Sequence, residues 1–144
     1  MGTNLETTRD FYERISRGEL SVFDATFAAD FVDHELPDGV PEGLEGVKQA
    51  FAVMLQAFPD MTMVVEDAAE DRDKVWARVQ MTGTHHGEFA GNAPTGRAFD
   101  IEIVDILRFD REGKVAEHWG VSEDLKMLQQ LGLVGDDPVT ARDP

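Results

Sequence analysis

None of the 144 residues is cysteine, which excludes disulfides and thiolate metal sites, so nothing covalent staples this fold. Positive charge is scarce as well. Thirteen Lys and Arg stand against 29 Asp and Glu, for a formal net charge of −16. Nucleic acid and anionic membrane surfaces are repelled at long range, so neither is an expected partner. The only lysines are Lys48, Lys74, Lys114 and Lys126. An acid-rich, lysine-poor surface suits a high-salt habitat, where ions screen the self-repulsion; an acidic protein with no special salt demand fits the same composition. Tyrosine occurs once, as Tyr12. No stretch reaches the roughly 18 apolar residues of a membrane helix. The opening MGTNLETTRDFYER lacks the basic and apolar regions of a secretory signal, so the expected location is cytoplasmic.

What is present is one domain's worth of periodic apolar residues, expected over residues 1–135, with 136–144 read as a frayed tail. Leu5, Thr8, Phe11, Tyr12 and Ile15 form one helical stripe within residues 4–17, and Gly18 follows as a stop. Ser21 is placed to cap a short second helix running to Phe27. Residues 30–35 read as a short strand entering a loop of turn formers, LPDGVPEG. Val47, Phe51, Met54, Leu55 and Phe58 repeat at helical spacing in a third helix, 44–58. The remainder alternates with period two: strands from Met61, from Lys74 to His86, from Phe99 to Phe109 and from Lys114 to Val121. The polar turns EDRD and DREG separate two of these pairs. A short helix bearing Leu125, Leu128 and Leu131 begins near Ser122 and ends at Gly132. Helices first and an antiparallel sheet after them predict an α+β fold, with helices on one face of a curved sheet.

Asp105 stands out against this pattern. Phe99, Ile101, Ile103, Leu107 and Phe109 share its strand face, where an ionised carboxylate is costly unless it is hydrogen-bonded or faces a cavity. A carboxyl group so placed is a candidate general acid or base. The alternative is a structural pair with an Arg such as Arg78 or Arg97. His118 has the small neighbours Ala116 and Gly120 on its face, leaving room for a ligand, and it could carry a proton near neutral pH. It could equally be tied to Glu117, Asp105 or a carbonyl. His34 opens an acidic loop and is either a surface residue or a substrate contact. His85 and His86 are adjacent on a strand and point to opposite faces, so at most one of them meets a cavity. His85 shares a face with Val79, Met81 and Gly83. The four histidines lack metal-ligand spacing, and no metal is expected. Trp76 and Trp119 read as packing or interface residues, with a substrate platform as the other role for Trp119. The loop GEFAGNAPTG is no phosphate cradle, because neither a helix nor a Lys-Ser/Thr ending follows it. With no Cys and no G-x-S-x-G, nucleophilic catalysis is poorly served.

From Gly83 to Trp119 the chain reads G-T-H-H-G-E-F-x-G-x-x-P-T-G-R-x-F, an apolar strand broken by Asp105, then L-R-F-D-x-E-G-K-V-x-E-H-W. This block resembles the signature half of the SnoaL-like polyketide cyclases, of the nuclear-transport-factor-2-like superfamily, and the likeness extends over most of residues 5–132. The resemblance implies a cone-shaped α+β barrel in which a curved antiparallel sheet and N-terminal helices enclose an apolar pocket. It implies a homodimer, no cofactor, and an intramolecular aldol cyclisation or isomerisation of a small hydrophobic carbonyl compound. Aligned on G-K-V-x-E-H-W and on the ending L-x-Q-L-G, the cyclases' catalytic aspartate falls at Gly120 and their pocket histidine at Asp105. The acidic group is therefore expected one strand over, at Asp105. His118 would be its proton partner or orienter, and His34 a substrate hydrogen-bonder. His85, Trp119, Met81 and Phe51 are the expected substrate contacts. A non-catalytic pocket protein is the alternative. An epoxide-hydrolase-like enzyme is a weaker one, since no R-x-D occurs in the sheet.

Overall fold

The computed structural model describes residues 3–135; the tail read at 136–144 lies outside the described residues. Helix α1 spans Asn4–Ile15. Its start is fixed by a capping box, in which the Glu6 amide donates to Thr3 Oγ1 (3.1 Å) and the Thr3 amide to the Glu6 carboxylate (3.3 Å), satisfying two otherwise orphaned donors. The helix stops short of 17 because Gly18 takes φ +78°. Helix α2 covers Val22–Thr26 and α3 covers Gly43–Ala57. Ser21 precedes α2 without the side-chain capping bond expected of it.

Five strands follow the order β1-β5-β4-β3-β2, with β1 at Phe27–Asp33, β2 at Thr62–Asp71, β3 at Lys74–Thr84, β4 at Ala98–Phe109 and β5 at Val115–Ser122. Helix α4, Asp124–Gln130, lies against β4. The sheet is curved but not closed, with β1 and β2 as its edges. Three of its four pairings are antiparallel, whereas β1 runs parallel to β5. That parallel pair corrects the all-antiparallel expectation. It also explains why the strand begins at Phe27, within the segment read as the end of a helix: Phe27 pairs with Val115, a bulge follows, and Val32 and Asp33 pair with Glu117 and His118. Pairing with a strand so distant in sequence overrides the local helical pattern.

The inner face of β4 buries Phe99, Ile101, Ile103, Leu107 and Phe109, as the alternation requires. Helices α1 and α2 bring Phe11 and Phe23 against Phe27, with ring centroids 5.0–5.3 Å apart. At this spacing, edge-on and tilted aromatic pairs are favourable. Among the described residues no helix is long and apolar enough to cross a membrane.

Candidate active site

Between the helices and the concave face of the sheet lies a cavity of about 360 Å³, within the range of small-molecule sites. Its apolar lining comes from phenylalanines of α1 to β1, Phe51 and Met54 of α3, and Met63, Met81 and Ile103 of the sheet. Phe51 and Met81, two of the expected substrate contacts, are among the lining residues. Among its polar lining residues, Tyr12, Asp33, Asp105 and His118 are linked by hydrogen bonds.

Asp105 is 8% exposed and, among the described residues, makes no pair with an arginine; Arg78 is engaged with Glu102 instead (2.7 Å). The Tyr12 hydroxyl donates to Asp105 Oδ2, and His118 Nε2 meets Asp105 Oδ1 at 2.7 Å. On its other side, His118 Nδ1 meets Asp33 Oδ1 at 2.8 Å. The result is a chain Tyr12–Asp105–His118–Asp33, contributed by α1, β4, β5 and β1, and all four residues line the cavity.

Each member is placed by a local feature. Asp105 lies opposite Gly120 across the β4–β5 pair. A β-carbon at Gly120 would lie 2.8 Å from Asp105 Oδ1 and 3.0 Å from His118 Nε2, so the bare backbone there is what lets carboxylate and imidazole meet. Asp33 is set beside His118 by the parallel register and accepts the Glu35 amide at 2.8 Å. Tyr12 sits on the buried stripe of α1.

Both ring nitrogens of His118 face carboxylate oxygens, an arrangement that suits the doubly protonated ring. Burial alone would lower its pKa, but hydrogen bonds to Asp105 and Asp33, reinforced by their charges, overcome this and lift it to about 10. Tyr12 is raised well above its ordinary value, first by burial and then by the Asp105 charge, so it stays a neutral donor. Among the described residues no group of three or more His, Asp or Glu is arranged to hold a metal ion.

Three expected substrate contacts are not brought to the cavity. His34 lies on the outer face of the sheet, bonded to Glu117 at 2.6 Å and stacked on Trp119 with ring centroids 4.9 Å apart. Strand alternation explains this placement: Phe31 and Asp33 point inward, so Val32 and His34 point outward. Trp119 shares that outer face, in register with Ile106 and Trp76. His85 is fully buried beside Phe58 and Phe89. The Thr95 amide donates to its Nδ1 (3.2 Å), and its Nε2 has no partner among the described residues.

Tyr12 and Asp33, which the sequence analysis does not single out as candidates, join Asp105 and His118 on the cavity wall. The signal for Tyr12 was a lone hydroxyl on an apolar helical stripe, since a buried tyrosine needs a partner. For Asp33 the signal was parity with Phe31.

Comparison with known proteins follows the same line. The family model described as SnoaL-like polyketide cyclase matches residues 6–131. Aklanonic acid methyl ester cyclase AcmA from Streptomyces galilaeus is 36% identical over 78 residues, 54% of each protein, so the match spans about half the length of that curated relative. The structure of IdmH from Streptomyces antibioticus, described as a candidate polyketide cyclase, superimposes with a TM-score of 0.79 at 34% identity, covering 91% of this chain and 99% of that one. AclR from Streptomyces galilaeus, described as a candidate hydroxylase, gives 0.83 at 29% identity, covering 96% and 86%. With a family model matched over most of its length and a solved relative of this identity covering nearly all of it, the chain belongs to the SnoaL-like polyketide cyclase family.

Proposed function

We propose that the protein is a cofactor-independent acid/base cyclase acting on a small hydrophobic, polyketide-like carbonyl compound, with Asp105 as the group that moves the proton. Membership of a cyclase family and similarity to proteins named as cyclases support the class of reaction. The observation that supports the assignment is a buried carboxylate on the wall of an apolar cavity, held by two donors and, among the described residues, paired with no arginine.

The chemistry balances within the substrate. Asp105 has lone pairs left after accepting from Tyr12 and His118, and one of them takes the proton from a carbon next to a carbonyl. The resulting enolate carbon attacks a second carbonyl of the same molecule and closes the ring. Asp105 then returns its proton to the new alkoxide. One C–H bond and the π bond of the attacked carbonyl break, one C–C and one O–H bond form, and the product is an isomer of the substrate. While Asp105 carries the proton its grip on the Tyr12 hydroxyl weakens, and that hydroxyl is then free to donate to the enolate oxygen. A preorganised donor in a dry site stabilises charge where it develops. His118, with both nitrogens occupied, orients Asp105 rather than touching substrate.

Aklanonic acid methyl ester, the compound in the name of the curated relative, is the first substrate to test. Asp105→Asn keeps the shape but removes the base, and should slow ring closure by roughly 10²–10⁴-fold with the fold intact. Unchanged turnover would leave a pocket that binds without chemistry. The proposal includes a homodimer through the outer sheet face, where Trp76, Ile106 and Trp119 lie in cross-strand register and Trp76 is 47% exposed.

A further inference from the structure

Asp33 is a second carboxylate in the cavity wall, and nothing in the proposed chemistry yet uses it. Its side chain is 5% exposed. It is fixed from two directions, by His118 Nδ1 at 2.8 Å and by the Glu35 amide at 2.8 Å. Burying a second acid this close to Asp105 is costly unless a cation lies between them. His118 is that cation. Among the described residues no Lys or Arg lines the cavity, while Glu35 and Asp124 also line it; His34, Arg108 and Glu117 are paired with one another on the outer face of the sheet.

We infer that Asp33 is a positioning residue. It holds the His118 ring by Nδ1 as a fixed imidazolium, so that Nε2–H is aimed at Asp105 and orients the carboxylate that moves the proton. The inference rests on the acid/base role of Asp105 but adds something separate, namely that His118 is a static cation and not a proton shuttle. Two carboxylates are bonded to the ring, Asp33 from β1 and Asp105 from β4, and Tyr12 from α1 is bonded in turn to Asp105; Glu35 and Asp124 line the same cavity. The two bonded carboxylates favour the charged ring. The raised pKa of His118 agrees with that geometry.

The test begins with the ligand-free protein. In a ¹⁵N-resolved NMR titration of the ring nitrogens, wild-type His118 should be doubly protonated at pH 8, where an ordinary histidine is neutral. A neutral ring at that pH overturns the inference without any variant. Removing the charge in Asp33→Asn should lower the midpoint by about 1–3 pH units, and Asp33→Glu should restore much of it. The alkaline limb of kcat/KM for aklanonic acid methyl ester should move down by the same amount in Asp33→Asn, with KM little changed. An unmoved ring midpoint, or a uniform loss of rate with no displacement of the limb, would reduce Asp33 to a structural role. If Asp105→Asn turns over normally while the ring titrates as described, the catalytic reading fails and the fixed cation stands.

Discussion

Replacing Gly120 by alanine tests the site with three atoms of strain. The new β-carbon would lie 2.8 Å from Asp105 Oδ1, 3.0 Å from His118 Nε2 and 3.2 Å from its Cε1. All three are side-chain atoms, so the clash is relieved by pushing carboxylate and imidazole apart, and the strand survives. What cannot survive unchanged is the 2.7 Å contact between them. A hydrogen bond to a charged group contributes about 1.5–3 kcal/mol. If that bond holds Asp105 for reaction, its loss slows turnover by about 10- to 100-fold, at about 1.4 kcal/mol per factor of ten. Alanine recovers about 0.5–1 kcal/mol of backbone entropy relative to glycine, so the net loss of stability is about 1–2 kcal/mol, a fall of roughly 3–8 °C in Tm. The assay pairs cyclisation kinetics and thermal unfolding with the His118 titration, whose midpoint should fall as Asp105 moves away. A folded Gly120→Ala protein with wild-type turnover and an unshifted imidazole would refute the claim that the glycine exists to admit this pair.

Other perturbations separate the remaining parts. Tyr12→Phe leaves Asp105 Oδ2 without a donor and should cost about 1–3 kcal/mol of stability, with turnover reduced up to about 10²-fold; calorimetry and steady-state kinetics check both. Because the folded pKa of His118 is raised from 6.5 to about 10, its contribution to stability is fully present below pH 6.5 and is lost as pH rises through about 10. Urea midpoints should therefore fall across that window in the wild type and fall less in His118→Gln. The Tyr12 shift acts only above its ordinary value of 10.0 and does not share the window. His34→Ala should leave kcat/KM unchanged, because the ring stacks on Trp119 outside the cavity. Trp76→Glu should convert a dimer to a monomer in analytical ultracentrifugation; an unchanged sedimentation coefficient would remove the outer face from consideration.

The parts of the site legible in the sequence were those set by a single strand's alternation. Asp105 was visible because it breaks a run of apolar residues in phase, and His118 because small residues flank it. The strand carrying Asp33 was visible too, but its neighbour was not. Parallel pairing with a strand about 85 positions away, entered through a bulge, leaves no local periodic trace. His34 was misplaced although the correct rule was at hand, since Phe31 inward forces His34 outward. Tyr12 was read as core, which its ring is, while the demand of its hydroxyl for a buried acceptor went unused. His85 matched a family motif yet serves the packing around Phe58 and Phe89. The departure at Gly120 was readable as a missing acid. That it also clears space for Asp105 and His118 needed coordinates.

Proton transfer from carbon by Asp105 can be observed without waiting for ring closure. Incubating the protein with aklanonic acid methyl ester in D₂O and following the carbon-bound hydrogens next to the carbonyls by ¹H NMR should show catalysed exchange in the wild type. In Asp105→Asn the exchange should be slower by roughly 10²–10⁴-fold. Equal exchange by the two proteins would contradict the account.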